Sequence, residues 1–159
     1  MNISTIYQSP VGPLTLISNG AALTDLQFEN PRHPYTPAPA GSDGILDQAR
    51  RQLDAYFAGA LRTFDLPLAP QGTPFQQRVW AALLTIPYGV TRSYGQQAAA
   101  IGSPQASRAV GLANGRNPIS IIVPCHRVIG SNGSLTGYGG GMDRKKLLLD
   151  LEQGERLIR

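Results

Sequence analysis

Residues 93–114 read SYGQQAAAIGSPQASRAVGLAN, and the fold turns on this stretch. Ser93–Ile101 has the composition of a short helix, Gly102-Ser103 of a turn, and Pro104–Asn114 of a second helix. Two short helices around a tight, glycine-containing turn make a helix-turn-helix. Upstream, Thr73-Pro74 supplies an N-cap followed by a proline at the first helical position, where its missing N–H costs nothing. Phe75, Val79, Leu83 and Ile86 then mark the buried face of that helix, and Pro87-Tyr88-Gly89 ends it. Downstream, 117–128 reads as irregular or extended, with apolar Ile119, Ile121, Ile122 and Val123, and Ser131–Gly141 as a glycine-rich loop. Asp143 opens a last helix whose Leu147, Leu148 and Leu151 are expected to face inward.

The N-terminal part has a different period. Ile3–Gln8, Pro13–Ser18 and Ala22–Phe28 read as strands separated by Ser-Pro-Val-Gly and Asn-Gly turns. Four prolines between Asn30 and Gly41 make a loop. Asp43–Phe57 places Ile45, Ala49, Leu53 and Phe57 on one helical face. The expected organisation is α+β: an N-terminal α/β domain over 1–65, a linker over 66–72, and a mostly helical domain over 73–159.

Composition narrows the function classes. Of 159 residues, 42% are hydrophobic and 15% charged, below the roughly 25% charged that is usual, which excludes a disordered charged tail. The apolar runs are too short to span a membrane, and Met1–Pro10 lacks the pattern of a signal peptide, so the expected compartment is the cytoplasm. Cys125 is the one cysteine and His33 and His126 are the two histidines, so neither a disulfide nor a Cys/His metal site is expected. The net charge is +4, and it is unevenly placed. Residues 66–142 contain five arginines and no acid, and the chain has twelve arginines to two lysines. That bias suits a polyanion such as nucleic acid, because the guanidinium fork binds phosphate bidentately.

The densest chemistry is Val123-Pro124-Cys125-His126-Arg127-Val128. Cationic neighbours favour the thiolate, which is the nucleophile, whereas the plain alternative is an inert buried cysteine. On an extended segment neighbouring side chains point to opposite faces, so His126 need not touch Cys125, and a bridging water is one solution. Glu152 on the last helix is one candidate to orient the histidine.

Asn117-Pro118 followed by Ile121–Gly130 resembles the signature of the O6-alkylguanine-DNA alkyltransferases, in its short bacterial-type form. The match runs from about Thr73 to Gly154 and takes in Tyr94, Ser107–Gly111 and Tyr138-Gly139-Gly140 in order and spacing. The resemblance implies a ribonuclease H-like N-terminal domain, a winged helix-turn-helix, and a single-turnover methyltransferase. Such a protein moves an alkyl group from O6 of guanine, or O4 of thymine, onto Cys125. By the same resemblance Glu152 orients His126, which acts through a water on the thiol, and Tyr94 hydrogen-bonds the guanine and helps protonate it as it leaves. Asn117 ties the helix to the active-site segment. Carbonyls of Cys125 and Val128 read the exocyclic amine, and Tyr138 and the amide of Gly139 line the base. Arg108 replaces the flipped base in the stack, while the small residues Ala106, Ala109 and Gly111 let the helix approach the minor groove. The implied partner is double-stranded DNA carrying alkylated guanine. The implied protein is a monomer, with cooperativity on DNA left open, and needs no cofactor or metal. It lacks the cysteines of the zinc-bearing relatives and of those with a fused phosphotriester domain.

Other residues read more simply. His33 is a loop residue, Trp80 belongs to the core, and Arg127 pairs with a carboxylate. Arg144, Lys145 and Lys146 form a solvated helix face. Two other functions remain: a Cys/His thiol hydrolase, and a helix-turn-helix regulator in which Cys125 is incidental.

Overall fold

The computed structural model describes residues 1–29, 31, 33–131 and 142–154. The chain forms two compact units, Met1–Gln71 with Pro118–Ile122, and Gly72–Asn117 with Val123–Arg159.

The first unit is an antiparallel sheet of β1 (Ile3–Ser9), β2 (Gly12–Ser18) and β3 (Leu23–Phe28) in sequential order, with helix α1 (Gly44–Phe57). Central β2 supplies buried Leu14, Leu16 and Ile17, and β3 adds Leu23, Leu26 and Phe28. At the second turn Asn19 Oδ1 accepts from the N–H groups of Ala21 and Ala22, and Gly20 takes a φ of +95° that a side chain would resist. Helix α1 buries Leu46, Ala49, Leu53 and Tyr56. The stripe expected from spacing is therefore rotated: Ile45 and Phe57 are only half-buried. Leu46 and Tyr56 keep the i, i+3, i+7, i+10 period that a sheet-facing stripe needs.

Both sheet edges are covered. Residues 39–41 run beside β1, with Ser4 N–H bonding the Pro39 carbonyl at 2.8 Å and Gly41 N–H bonding that of Ser4 at 2.9 Å. Beside β3 lie two short parallel strips, one at Leu68 through Leu23 and one at Ile119 through Leu26. Residues 67–69, expected as linker, thus pair with the sheet. An uncovered β3 edge would expose a row of unpaired N–H and C=O groups. The second strip comes from a return of the chain: it leaves the second unit after Asn117 and re-enters it at Val123.

In the second unit α2 (Pro74–Leu83) and α3 (Tyr94–Ala100) both begin with reciprocal capping boxes, Thr73 with Gln76 and Ser93 with Gln96. Helix α4 (Ser107–Gly115) starts three residues later than the sequence suggests, because Ala106 N–H bonds the Ser103 carbonyl in a turn. Val79, Trp80, Leu83, Ala98, Val110 and Ala113 are buried across α2, α3 and α4. Trp80 Nε1 donates to the Ala113 carbonyl at 2.9 Å, sharing that acceptor with the Arg116 N–H at the end of α4. Strands β4 (Arg92–Ser93) and β5 (Val128–Ile129) pair in parallel, and α5 (Met142–Glu152) closes the described part. On α5 Leu148 and Leu149 are buried while Leu147 is exposed, a correction to the expected Leu147, Leu148, Leu151 face. Among the described residues no helix is long and apolar enough to cross a membrane.

Asp43 holds the first unit at one point. Its Oδ1 caps α1 through the N–H of Leu46 at 2.8 Å, and its Oδ2 accepts from Ser18 Oγ of β2 at 2.7 Å. Asp43→Ala should destabilise the first unit by about 1 kcal/mol, the usual worth of an N-cap, and Asp43→Asn by less. Urea unfolding of the three proteins measures this; equal midpoints for Asp43→Ala and the parent would show the cap to be inert.

Candidate active site

Cys125, His126 and Arg127 form one turn of 3-10 helix rather than an extended strand. Successive side chains on such a turn fan out by about a third of a revolution each instead of alternating. The thiol can therefore meet Asn117 while His126 and Arg127 share Glu152.

Arg127 and His126 both reach Glu152 of α5. Arg127 Nε donates to Glu152 Oε1 at 2.8 Å and Nη2 to Oε2 at 3.1 Å, a bidentate pair. Its Nη1 bonds the Ile86 carbonyl at 2.6 Å. His126 Nε2 lies 2.7 Å from Glu152 Oε2, and Gly89 N–H approaches Oε1 at 3.3 Å. Gly89 has φ +79°, and a Cβ there would stand 3.3 Å from the Glu152 carbonyl, so both conformation and space favour glycine. Burial alone would raise the Glu152 carboxyl, but His126 and Arg127 hold it well below the usual carboxylate range. It is therefore ionised and acceptor-only, which puts the proton of a neutral His126 on Nε2 and the lone pair on Nδ1. Burial pushes His126 below its ordinary value despite Glu152. Arg127 already balances the carboxylate charge, so a second cation is not needed there. His126 Nδ1 is buried and hydrogen-bonds none of the described residues.

The thiol sits on the other side of the turn. Asn117 Nδ2 donates to the Val123 carbonyl at 2.8 Å and to Cys125 Sγ at 3.2 Å. Burial pushes the Cys125 thiol up, while Asn117 and the charge of Lys145 pull it down by less. The adjacent cations thus do not act as the sequence suggested. Arg127 is engaged by Glu152, His126 is neutral, and the lysine that favours the thiolate comes from α5.

Lys145 is the main correction. Expected on a solvated face, it is 1% exposed. Its Nζ donates to the Val128 carbonyl at 2.6 Å and lies 5.9 Å from the centre of the Tyr94 ring. Burial brings it down to about 8. The signal was in the sequence: Lys145, Leu148, Leu149 and Glu152 follow the i, i+3, i+4, i+7 spacing of one buried stripe, with charges at both ends.

The remaining predicted residues fall in two groups. Tyr94 opens α3, half-buried, and a Cβ on Gly111 of α4 would lie 3.7 Å from its ring. Val128 follows the 3-10 turn, and its N–H bonds the Cys125 carbonyl. Arg108 and Ala109 are exposed on the first turn of α4, and Ala106 caps it half-buried, while Gly111 is turned towards Tyr94. Tyr138 and Gly139 lie outside the described residues. Trp80 is core and Arg127 pairs with Glu152, as expected. Sequence reasoning passed over Asn114, a buried amide on α4.

This chain is similar over almost its full length to proteins of one kind. Residues 2–70 match the ribonuclease-like domain of 6-O-methylguanine DNA methyltransferase, and residues 74–154 its DNA-binding domain. A methylated-DNA–protein-cysteine methyltransferase of Mycobacterium bovis is 60% identical over 150 residues, covering 91% of this chain and 88% of the relative. One from Methanosarcina acetivorans is 53% identical over 149 residues, covering 92% and 96%. The crystal structure of Mycobacterium tuberculosis OGT in complex with DNA superimposes with a TM-score of 0.87 at 56% identity, covering 96% of this chain and 92% of that one. That likeness includes the small antiparallel sheet followed by helices, so the expected α+β fold stands. With both domain models matched in order and relatives more than half identical along the chain, this protein belongs to the 6-O-methylguanine DNA methyltransferase family.

Proposed function

We propose that this protein repairs alkylated DNA directly, moving the alkyl group from O6 of guanine, or O4 of thymine, to Cys125 once per molecule. The observation that carries the reading is a buried thiol and a buried neutral imidazole on one 3-10 turn, with an ionised Glu152 fixing the imidazole tautomer. Sγ attacks the alkyl carbon as the carbon–O6 bond breaks. The thiol proton passes through a water to His126 Nδ1. Tyr94 gives a proton to the departing base, because neutral guanine leaves far more readily than its anion, and recovers it from solvent. The products are a thioether and a normal guanine. Since a thioether does not hydrolyse, the protein is consumed. Burial that keeps Cys125 protonated at rest suits such a reagent, because the thiolate forms only with the base in place.

The base reaches the thiol by leaving the duplex. Exposed Arg108 takes its place in the stack, with Ala106, Ala109 and Gly111 permitting close approach of α4 to the minor groove. The carbonyls of Cys125 and Val128, with Tyr138 and Gly139, surround the base. Each of those carbonyls already accepts one bond, from Val128 N–H and Lys145 Nζ, and keeps a second lone pair. Asn117 fixes the thiol. The protein acts as a monomer in the cytoplasm, and its arginines make DNA affinity fall with salt.

Three outcomes follow. Intact mass after mixing with a duplex containing O6-methylguanine should show one added methyl, absent in Cys125→Ala; uptake by that variant would place the acceptor elsewhere. Arg108→Ala should slow repair of duplex DNA at least about tenfold while leaving the reaction with free O6-methylguanine base nearly unchanged, since only the duplex demands extrusion. Equal losses on both substrates would remove Arg108 from that role. Because burial lowers His126, the imidazole stays an acceptor into mild acid. The reaction with free base should therefore hold nearly constant from pH 7.5 to 6, where a base of ordinary pKa would lose about fourfold. A fourfold fall centred near pH 6.5 would contradict the assignment.

A further inference from the structure

Asn114 is a polar side chain in an expensive position. It is 5% exposed, and neither Oδ1 nor Nδ2 hydrogen-bonds any described residue. Buried amides without partners are rare in folded proteins, because their desolvation goes uncompensated. Its buried neighbours along α4, Val110 and Ala113, are apolar, so a leucine would fit the core more cheaply.

Its place on the helix says what it faces. Gly111 and Asn114 are three apart on α4, and Asn117 follows three residues later in the turn beyond it, so Asn114 lies between the other two along the chain. The backbone turn continues past α4, with Asn117 N–H bonding the Asn114 carbonyl at 3.2 Å. At one end of this row, Gly111 packs against the Tyr94 ring. At the other end, Asn117 holds Cys125 Sγ. Asn114 therefore sits on the stretch of wall between the tyrosine and the thiol, with one donor group and one acceptor uncommitted.

We propose that Asn114 is a base-binding residue: its side-chain amide hydrogen-bonds the alkylated purine held between Tyr94 and Cys125. The inference rests on the alkyl-transfer reading above and adds a residue to it. Nδ2 donates to a ring acceptor of the purine, and Oδ1 takes an N–H of the base or a water that enters with it. The amide has no partner among the described residues and is satisfied when the base arrives, so its burial favours the complex over the empty site. Asparagine suits this task because its short side chain offers both kinds of group with little rotamer freedom to lose.

The test is single-turnover methylation by free O6-methylguanine, read by intact mass, for the parent, Asn114→Leu and Asn114→Ala. The alanine variant removes the same groups without adding volume, should leucine overpack. Thermal melts are recorded alongside. Both variants should react about tenfold more slowly through a weaker half-saturation concentration, while at least one melts at or above the parent temperature. The same reactions are run with the 7-deaza and 3-deaza forms of the base. The parent should lose rate on one of the two, and the variants should lose nothing further on that same base. Unchanged rates, or variants that lose rate only in proportion to a lower melting temperature, would overturn the proposal, as would equal sensitivity of parent and variants to both deaza bases. If the parent itself takes up no methyl group, the alkyl-transfer reading fails rather than this assignment.

Discussion

The buried carboxylate of Glu152 is the constraint around which the second unit is arranged. An ionised carboxylate away from water is tolerable only when its lone pairs are taken by well-placed donors, and removing one partner of such a pair typically costs about 3–5 kcal/mol. Here the donors are the Arg127 fork, His126 Nε2 and the Gly89 amide. Each demand shapes a different piece of chain. Arg127 and His126 can reach one carboxylate together because they lie on a 3-10 turn. Gly89 must take a left-handed conformation close to the α5 backbone. Gln153 Nε2 then donates to the Gly89 carbonyl at 3.0 Å, so the end of α5 and the turn after α2 are tied in both directions.

The same carboxylate decides what the imidazole can do. Burial keeps His126 neutral despite the carboxylate, with a smaller push from the Arg127 charge, and the carboxylate's acceptor character fixes the tautomer with the lone pair on Nδ1. Arg127, which touches neither thiol nor base in the proposed reaction, holds the carboxylate that orients His126 and adds to the effect of burial.

Asn117 governs the thiol by comparable means. Its amide donates to the Val123 carbonyl and to Cys125 Sγ, closing the chain across residues 118–122. Residues 118–120 pair with β3 in the first unit, and just after them Ile121 has φ +72° with Ile122 N–H bonding the Ser120 carbonyl at 2.8 Å. That is the geometry of a strained γ-turn, costly for a β-branched residue. The bonds of Leu26 N–H to Pro118 and of Ser120 N–H to Leu26 hold the strained excursion in place. That detour of chain takes a conformation that no local preference would choose.

The sequence alone determined the elements whose causes are local. Turn residues marked the hairpins, Thr73-Pro74 and Ser93 marked the starts of α2 and α3, and the short motif around Cys125 named the thiol, the histidine and the asparagine. It even offered Glu152 as the partner of His126, though 26 positions separate them. Only the tertiary structure decided which polar groups are buried and what satisfies them. Lys145 looked like one of three solvated cations until α5 packed it against Val128 and Tyr94. The 67–69 strip looked like linker until the unpaired edge of β3 claimed it. Asn114 looked like one more residue of α4 until burial left its amide without a partner among the described residues. The reason is common to all three. Caps and turns are set by bonds between near neighbours in sequence, whereas the cost of desolvating a charge or an amide depends on every element packed around it.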